Sequence, residues 1–156
     1  MRVTPTLDSI YNFRWRGANI GTSGQPLEEE FPAIAQAGFQ VVINLALLDA
    51  DYALPDEPGL VRSLGMTFIH IPVSWEMPTQ DKLLAFFDVM ARHEGQRLFL
   101  HCAANMRVSV FLALYRMRCL GWARDAALAD VHDVWHPDFV WQSFMDGMLA
   151  APPHIK

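Results

Sequence analysis

Cys102 and Arg107 are the two residues whose types and spacing define a site. They lie in the stretch Gln96 to Tyr115, QRLFLHCAANMRVSVFLALY. Leu98-Phe99-Leu100 reads as a short buried strand. His101-Cys102 follows, then the small or polar residues Ala103, Ala104, Asn105 and Met106, and Arg107, Val108 and Ser109 lead into an apolar helix. A strand, a tight loop that starts at a cysteine and a helix N-terminus direct backbone N–H groups at negative charge. A thiol in such a field is favoured as its thiolate, which is the nucleophilic form. The expected site is therefore Cys102 as nucleophile, with Ala103, Ala104, Asn105, Met106, Arg107 and Val108 as an anion-binding loop.

That loop needs a scaffold, and the flanking pattern supplies one. Met1 to Asn12 reads as a loosely ordered leader. Phe13 to Arg16 and Asn19 to Gly21 read as short strands, and Thr22 to Pro26 as turn. Leu27 to Ala37 reads as a helix with Glu28, Glu29 and Glu30 in its first turn and Gly38 at its C-terminus, and Pro32 near the first turn predicts that the regular helix starts a few residues late. Phe39 to Leu45 and Met66 to Val73 are β-branched apolar runs of buried-strand length. Ala46 to Gly59 reads as a loop, Leu60 to Leu64 as a short helix, and Ser74 to Pro78 as a second loop. Thr79 caps a helix to about His93 with Leu83, Phe86, Phe87 and Met90 on one face. Val108 to Leu120, Trp122 to Val134 and Phe139 to Leu149 read as further helices. Strands alternating with helices predict a single α/β domain over residues 1–156, with a mainly parallel central sheet flanked by helices on both faces.

Composition narrows the partners. With 52% apolar and 19% charged residues the chain is globular. A net charge of -5 and the lack of any Lys/Arg run argue against nucleic acid. No run approaches a membrane span, so no membrane partner is expected. Cys102 and Cys119 would lie about 15 Å apart along a helix, at roughly 1.5 Å per residue. That is too far for a disulfide, so both are expected as free thiols, Cys119 buried at a helix end. Free thiols and the absence of a signal-like N-terminus predict a cytoplasmic location. His70, His93, His132, His136 and His154 show no metal spacing and read as structural. Trp135, Trp141, Phe139 and Phe144 read as core.

His101-Cys102-Ala103-Ala104-Asn105-Met106-Arg107-Val108-Ser109 resembles the signature loop of cysteine-dependent tyrosine and dual-specificity phosphatases, H-C-x-x-G-x-x-R-S/T. More closely, Thr22 to Pro26, Val42 to Leu45, Ile71 to Val73, Pro78-Thr79 and the cysteine loop resemble a bacterial phosphatase-like family. That family is related to the phosphatase-like domain of β-lactamase-like hydrolase fusions. The resemblance implies a fold of the phosphotyrosine protein phosphatase II type. It implies Cys102 as nucleophile, His101 as structural support for the loop, and Ser109 as a hydroxyl donor to the thiolate. It also implies a phosphorylated substrate or other small oxyanion, with neither metal nor organic cofactor.

Two departures matter. The phosphatase Arg falls six residues after Cys, where this chain has Val108, and Asn105 replaces a glycine. Arg107 gives C-x4-R, a spacing that resembles rhodanese sulfurtransferases, so a Cys102 persulfide is the rival chemistry. A non-catalytic oxyanion binder is the third reading. The segment Ile71-Pro72-Val73-Ser74-Trp75-Glu76-Met77-Pro78 resembles the acid loop of tensin-type phosphatases, with Trp75 at the Asp position. Glu76 is the expected general acid, and Asp49 and Asp51 are its alternatives.

Overall fold

The computed structural model describes residues 4–151. Its strands are β1 (Arg14–Trp15), β2 (Ile20–Ser23), β3 (Val41–Asn44), β4 (Thr67–His70) and β5 (Leu98–His101). Its helices are α1 (Phe31–Gln36), α2 (Glu57–Ser63), α3 (Gln80–Arg92), α4 (Met106–Cys119), α5 (Arg124–His132) and α6 (Phe139–Ala150). The sheet order is β1-β2-β5-β3-β4. β2, β5, β3 and β4 are mutually parallel, and β1 lies antiparallel on the edge beside β2. The strand that delivers Cys102 is thus the central one, and crossover helices cover both of its faces.

The period-two alternation of the strands sorts the core into two layers. Val41, Ile43, Leu98 and Leu100 face α3, α4 and α6, where Phe86, Phe111, Leu114 and Trp141 are fully buried. Val42 and Phe99 face the opposite way, toward Phe31 and Ile34 of α1 and Val61 of α2. α4 is apolar all round because it sits inside the first layer: residues 107–116 are all buried. The predicted cap of α3 holds, with Thr79 Oγ1 accepting from Lys82 N at 3.4 Å, and α6 is capped by Asp138, whose Oδ1 accepts from Trp141 N at 2.9 Å.

Several elements differ from the sequence expectation. The late start that Pro32 predicts for the regular helix is observed, α1 beginning at Phe31, but the residues before it form a 3-10 turn, Glu28–Glu30. The helix expected from Leu60 starts instead at Glu57, capped by Asp56, whose Oδ1 accepts from Gly59 N at 3.1 Å. Of the expected leader, Met1–Val3 lie outside the described residues. The rest forms a 3-10 turn, Leu7–Ser9, and buries Ile10 against the α1 and α2 layer. Cys119 is exposed rather than buried, being the last residue of α4, where the helix leaves the core. Phe139 is 86% exposed at the start of α6, whereas Trp141 behind it is fully buried. His154 lies outside the described residues.

The edge of the sheet is tied to α5 by charge. Arg116, buried on α4, donates to Asp130 Oδ2 at 2.7 Å and to the Arg16 carbonyl at 2.7 Å, with its guanidinium 4.1 Å from the Trp122 ring centroid. Arg14 and Arg16 both reach Asp133 Oδ2 at 2.9 Å. Their hydrogen bonds hold the Asp133 carboxyl below the usual carboxylate range. Asp133 is half exposed, so the surface part of this network adds little stability.

Candidate active site

The four parallel strands end in one polar row. Ser23, His101, Asn44 and His70 stand side by side in register on β2, β5, β3 and β4. Being two residues beyond Phe99 and Val42, His101 and Asn44 face the α1 and α2 layer. There Glu57, the first residue of α2, meets them. Its Oε2 accepts from His101 Nε2 at 2.6 Å and from Asn44 Nδ2 at 3.4 Å, and its Oε1 from Gln25 Nε2 at 3.0 Å. Cys102, one residue past His101, turns to the opposite layer. This places the thiol on the side of α3 and α4, with a buried polar cluster behind it.

The loop after Cys102 is held from outside by its carbonyls. Cys102 O meets His101 Nδ1 at 3.3 Å, Ala103 O accepts from Gln25 N at 2.9 Å, and Ala104 O accepts from Asn12 Nδ2 at 3.1 Å. In a trans peptide the N–H points opposite to the preceding carbonyl. The N–H groups of Ala103 and Ala104 are therefore turned away from these outer donors. Gly24 allows the close approach: a Cβ there would lie 2.6 Å from Ala103 O and 2.6 Å from the Tyr11 ring. Asn105 then turns the chain into α4 at φ 68°, a left-handed conformation that Asn tolerates. Its Nδ2 donates to Asn12 O at 2.8 Å and Thr22 Oγ1 at 3.0 Å. Asn12, which the sequence pattern left in the leader, thus braces the loop, and Tyr11 beside it packs on Gly24.

Cys102, Ala103, Ala104, Met106, Arg107 and Glu76 line one cavity of about 410 Å³, closed by Leu47, Ala50, Tyr52 and Trp75. Arg107 and Glu76 are its charged members among the described residues. Arg107 is buried and braced across the cavity: Nη1 donates to Val73 O at 2.8 Å and Nη2 to Tyr52 Oη at 3.3 Å. Val108, at the spacing where phosphatases carry Arg, is fully buried in the core. The loop is one residue tighter, and Arg107 is the residue that lines the cavity. Of the six residues expected to form the anion loop, Asn105 and Val108 point elsewhere.

The remaining site residues are placed as follows. Glu76 accepts from Ser74 Oγ at 3.3 Å and lines the cavity. Asp49 and Asp51 are exposed and are not among its lining residues. Ser109 donates its one hydroxyl hydrogen to Met106 O at 2.6 Å and accepts from Trp135 Nε1 at 3.0 Å. That geometry does not bring its hydrogen to the Cys102 thiolate; the first turn of α4 claims it. No group of three His, Cys, Asp or Glu side chains among the described residues is placed to hold a metal. No helix among them is long and apolar enough to cross a membrane.

Sequence reasoning missed Glu57, Tyr52 and the carbonyl of Val73. Asp56-Glu57-Pro58 signals a helix start, since a capping Asp is followed by an acidic residue and Pro, but it does not signal the burial of Glu57. Burial alone would raise the Glu57 carboxyl, but His101 beside it and the hydrogen bonds from His101 and Gln25 outweigh this and hold it below its ordinary value of 4.5. A depressed carboxyl stabilises the fold fully above its unfolded value, and that stability is lost as pH falls through the folded value. Thermal unfolding followed by circular dichroism should therefore show the melting temperature falling as pH drops below about 4.5, with a shallower fall in Glu57→Gln. Identical slopes would show that Glu57 is not linked to folding.

Comparison with known proteins agrees with this geometry. The family model described as DSP-PTPase phosphatase fused to NAD+ kinase matches residues 11–132. The β-lactamase hydrolase-like protein of Agrobacterium fabrum is 31% identical over 146 residues, covering 86% of this chain and 32% of that protein. The chain thus spans about a third of that curated relative. A DUF442 phosphatase-type protein of Shewanella putrefaciens CN-32 superposes with a TM-score of 0.82 at 32% identity, over 92% of this chain and 95% of its own. The catalytic domain of the Saccharomyces cerevisiae PP-IP phosphatase SIW14 shares the fold alone. It has a TM-score of 0.74 at 15% identity, with 93% and 87% of the two chains covered. A five-stranded sheet that presents Cys102 and Arg107 at the carboxyl end of its central strand is thus the dual-specificity and tyrosine phosphatase fold, and the chain belongs to the DSP-PTPase phosphatase family that is described by its fusion to NAD+ kinase.

Proposed function

We propose that the chain hydrolyses phosphate monoesters through a cysteinyl-phosphate. The observation that carries this reading is the shared cavity: a cysteine thiol, a loop of outward-pinned carbonyls, a buried guanidinium and a glutamate carboxyl group all line it. The Cys102 thiolate attacks phosphorus, and the bond from phosphorus to the leaving oxygen breaks. Arg107 and the loop N–H groups hold the non-bridging oxygens. Glu76 in its acid form gives its proton to the leaving oxygen. A water then attacks the cysteinyl-phosphate, Glu76 takes its proton, and Cys102 leaves as thiolate with inorganic phosphate.

A second reading, sulfane sulfur transfer, has only the tight C-x4-R loop behind it, and the family and fold relatives do not favour it. In that chemistry Cys102 attacks the outer sulfur of thiosulfate and sulfite leaves. The resulting persulfide then gives that sulfur to cyanide or a thiol.

Purified full-length protein assayed with p-nitrophenyl phosphate and with thiosulfate plus cyanide separates the two. Phosphate release that Cys102→Ser abolishes supports the first reading. Thiocyanate formation without phosphate release overturns it in favour of the second. Anion binding with both assays silent makes the site a non-catalytic binder. Glu76→Gln should lower kcat about 10²-fold for an alkyl phosphate, whose leaving oxygen needs the proton, and much less for p-nitrophenyl phosphate. Equal losses on both would remove Glu76 from the acid role.

A further inference from the structure

The hydroxyl groups in and around the cavity differ in where their one hydrogen goes. Ser109 gives its hydrogen to Met106 O, and Ser74 gives its own to Glu76. Tyr52 accepts twice instead: its Oη takes hydrogen bonds from Arg107 Nη2 at 3.3 Å and from Leu47 N at 3.4 Å. Those two bonds fill its acceptor capacity and leave the O–H as the bond still to be made. Among the described residues no acceptor takes that hydrogen. Both donors to Oη line the cavity together with Tyr52 and Cys102, so the oxygen between them stands at the cavity wall. A hydroxyl that accepts from a guanidinium is also polarised into a stronger donor.

The loop after β3 holds Tyr52 there. Asn44 Oδ1 accepts from Ala46 N at 2.7 Å, and His70 Nε2 lies 2.6 Å from Ala46 O, which fixes the root of the loop on the sheet. Farther along, Ala53 N donates to Ala50 O at 3.0 Å and closes a turn with Asp51 and Tyr52 at its centre. We infer that Tyr52 is a substrate-binding residue: its O–H donates to a non-bridging oxygen of the anion held over Cys102, while its oxygen keeps Arg107 in place. The inference rests on the cavity being an oxyanion site and deepens that reading. It adds a neutral donor from the loop after β3 to the guanidinium of α4 and the N–H groups of the cysteine loop. One phenol thereby links the position of Arg107 to the presence of the anion.

Two replacements at position 52 read the direction of the bond. Tyr52→Phe keeps the ring and deletes the hydroxyl. Site-specific 3-fluorotyrosine in place of Tyr52 keeps the hydroxyl, strengthens it as a donor and weakens it as an acceptor. The probe is inorganic phosphate, titrated calorimetrically into the full-length protein at about pH 6, where the phenol stays protonated. The dissociation constant should rise about tenfold in Tyr52→Phe and fall about twofold with 3-fluorotyrosine. A tyrosine that only braces Arg107 gives the rise without the fall. One that competes with the anion for Arg107 tightens binding in both proteins. Either pattern overturns the inference, as does an unchanged constant in Tyr52→Phe or a parent protein that binds no phosphate. Turnover of p-nitrophenyl phosphate is a separate readout. If it is absent while both constants move as expected, the inference stands and the phosphatase reading falls; if turnover is present and the constants do not move, the reverse holds.

Discussion

Arg107→Lys is expected to lower kcat/KM for an aryl phosphate by about 10²–10³-fold, although the charge is retained. The guanidinium performs two tasks at once. It braces the cavity between Val73 O and Tyr52 Oη, and in the proposed mechanism its remaining N–H donors grip the anion. A lysine ammonium has three donors on one atom and cannot span both walls while gripping two oxygens. The swap Arg107→Val with Val108→Arg restores the usual phosphatase spacing in sequence yet should not rescue activity. Position 108 is fully buried among apolar residues, and an unpaired guanidinium there costs several kcal/mol, enough to unfold a domain of ordinary stability. Steady-state kinetics and a melting curve check both. Activity of Arg107→Lys within about threefold of the parent would remove the bidentate role of Arg107, and an active swap variant would mean that the loop accommodates either register.

Much of the scaffold was legible because burial writes a strong pattern. The runs Val41–Asn44 and Leu98–His101 are apolar on both faces, which marks central parallel strands, and capping Thr79 fixes the start of α3. The strand, loop and helix around Cys102 could be read for the same reason: a left-handed Asn between an apolar strand and an apolar helix leaves few other folds for that stretch. What stayed illegible was set by contacts between distant segments. Asn12 braces Ala104 across 92 residues, and nothing local distinguishes it from a solvated leader residue. Glu57 lies in a segment rich in Asp and Pro that reads as solvated loop, and its burial follows only once Asn44 and His101 are aligned on neighbouring strands. Ser109 shows the converse. Its position matches a functional hydroxyl, but the Met106 carbonyl one turn back and the Trp135 indole take both of its bonds.

The second large effect concerns Trp141, far from Cys102 in sequence but bonded to the loop that carries Glu76, the proposed acid. Its side chain is fully buried, and it packs against Trp75, Phe111, Phe144 and Trp135 with ring centroids 5.7 to 6.5 Å apart. Removing that bulk leaves a cavity between α4, α6 and the loop after β4. Trp141→Ala should therefore cost about 3–5 kcal/mol of stability, read as a lower denaturant midpoint at unchanged slope. Trp141→Phe separates packing from anchoring. It keeps most of the apolar volume but deletes the Nε1–H that donates to Trp75 O at 2.9 Å, the bond that fixes the segment carrying Glu76. The orphaned carbonyl costs about 1–3 kcal/mol, and the loop relaxes toward solvent to recover a partner. Glu76 then loses its fixed approach to the leaving oxygen, whereas Arg107 keeps its own anchors on Val73 and Tyr52. For a folded Trp141→Phe protein, kcat on an alkyl phosphate should drop about tenfold while the dissociation constant for inorganic phosphate stays within about twofold. If phosphate affinity falls and kcat does not, Trp75 supports the anion cradle instead of the acid loop.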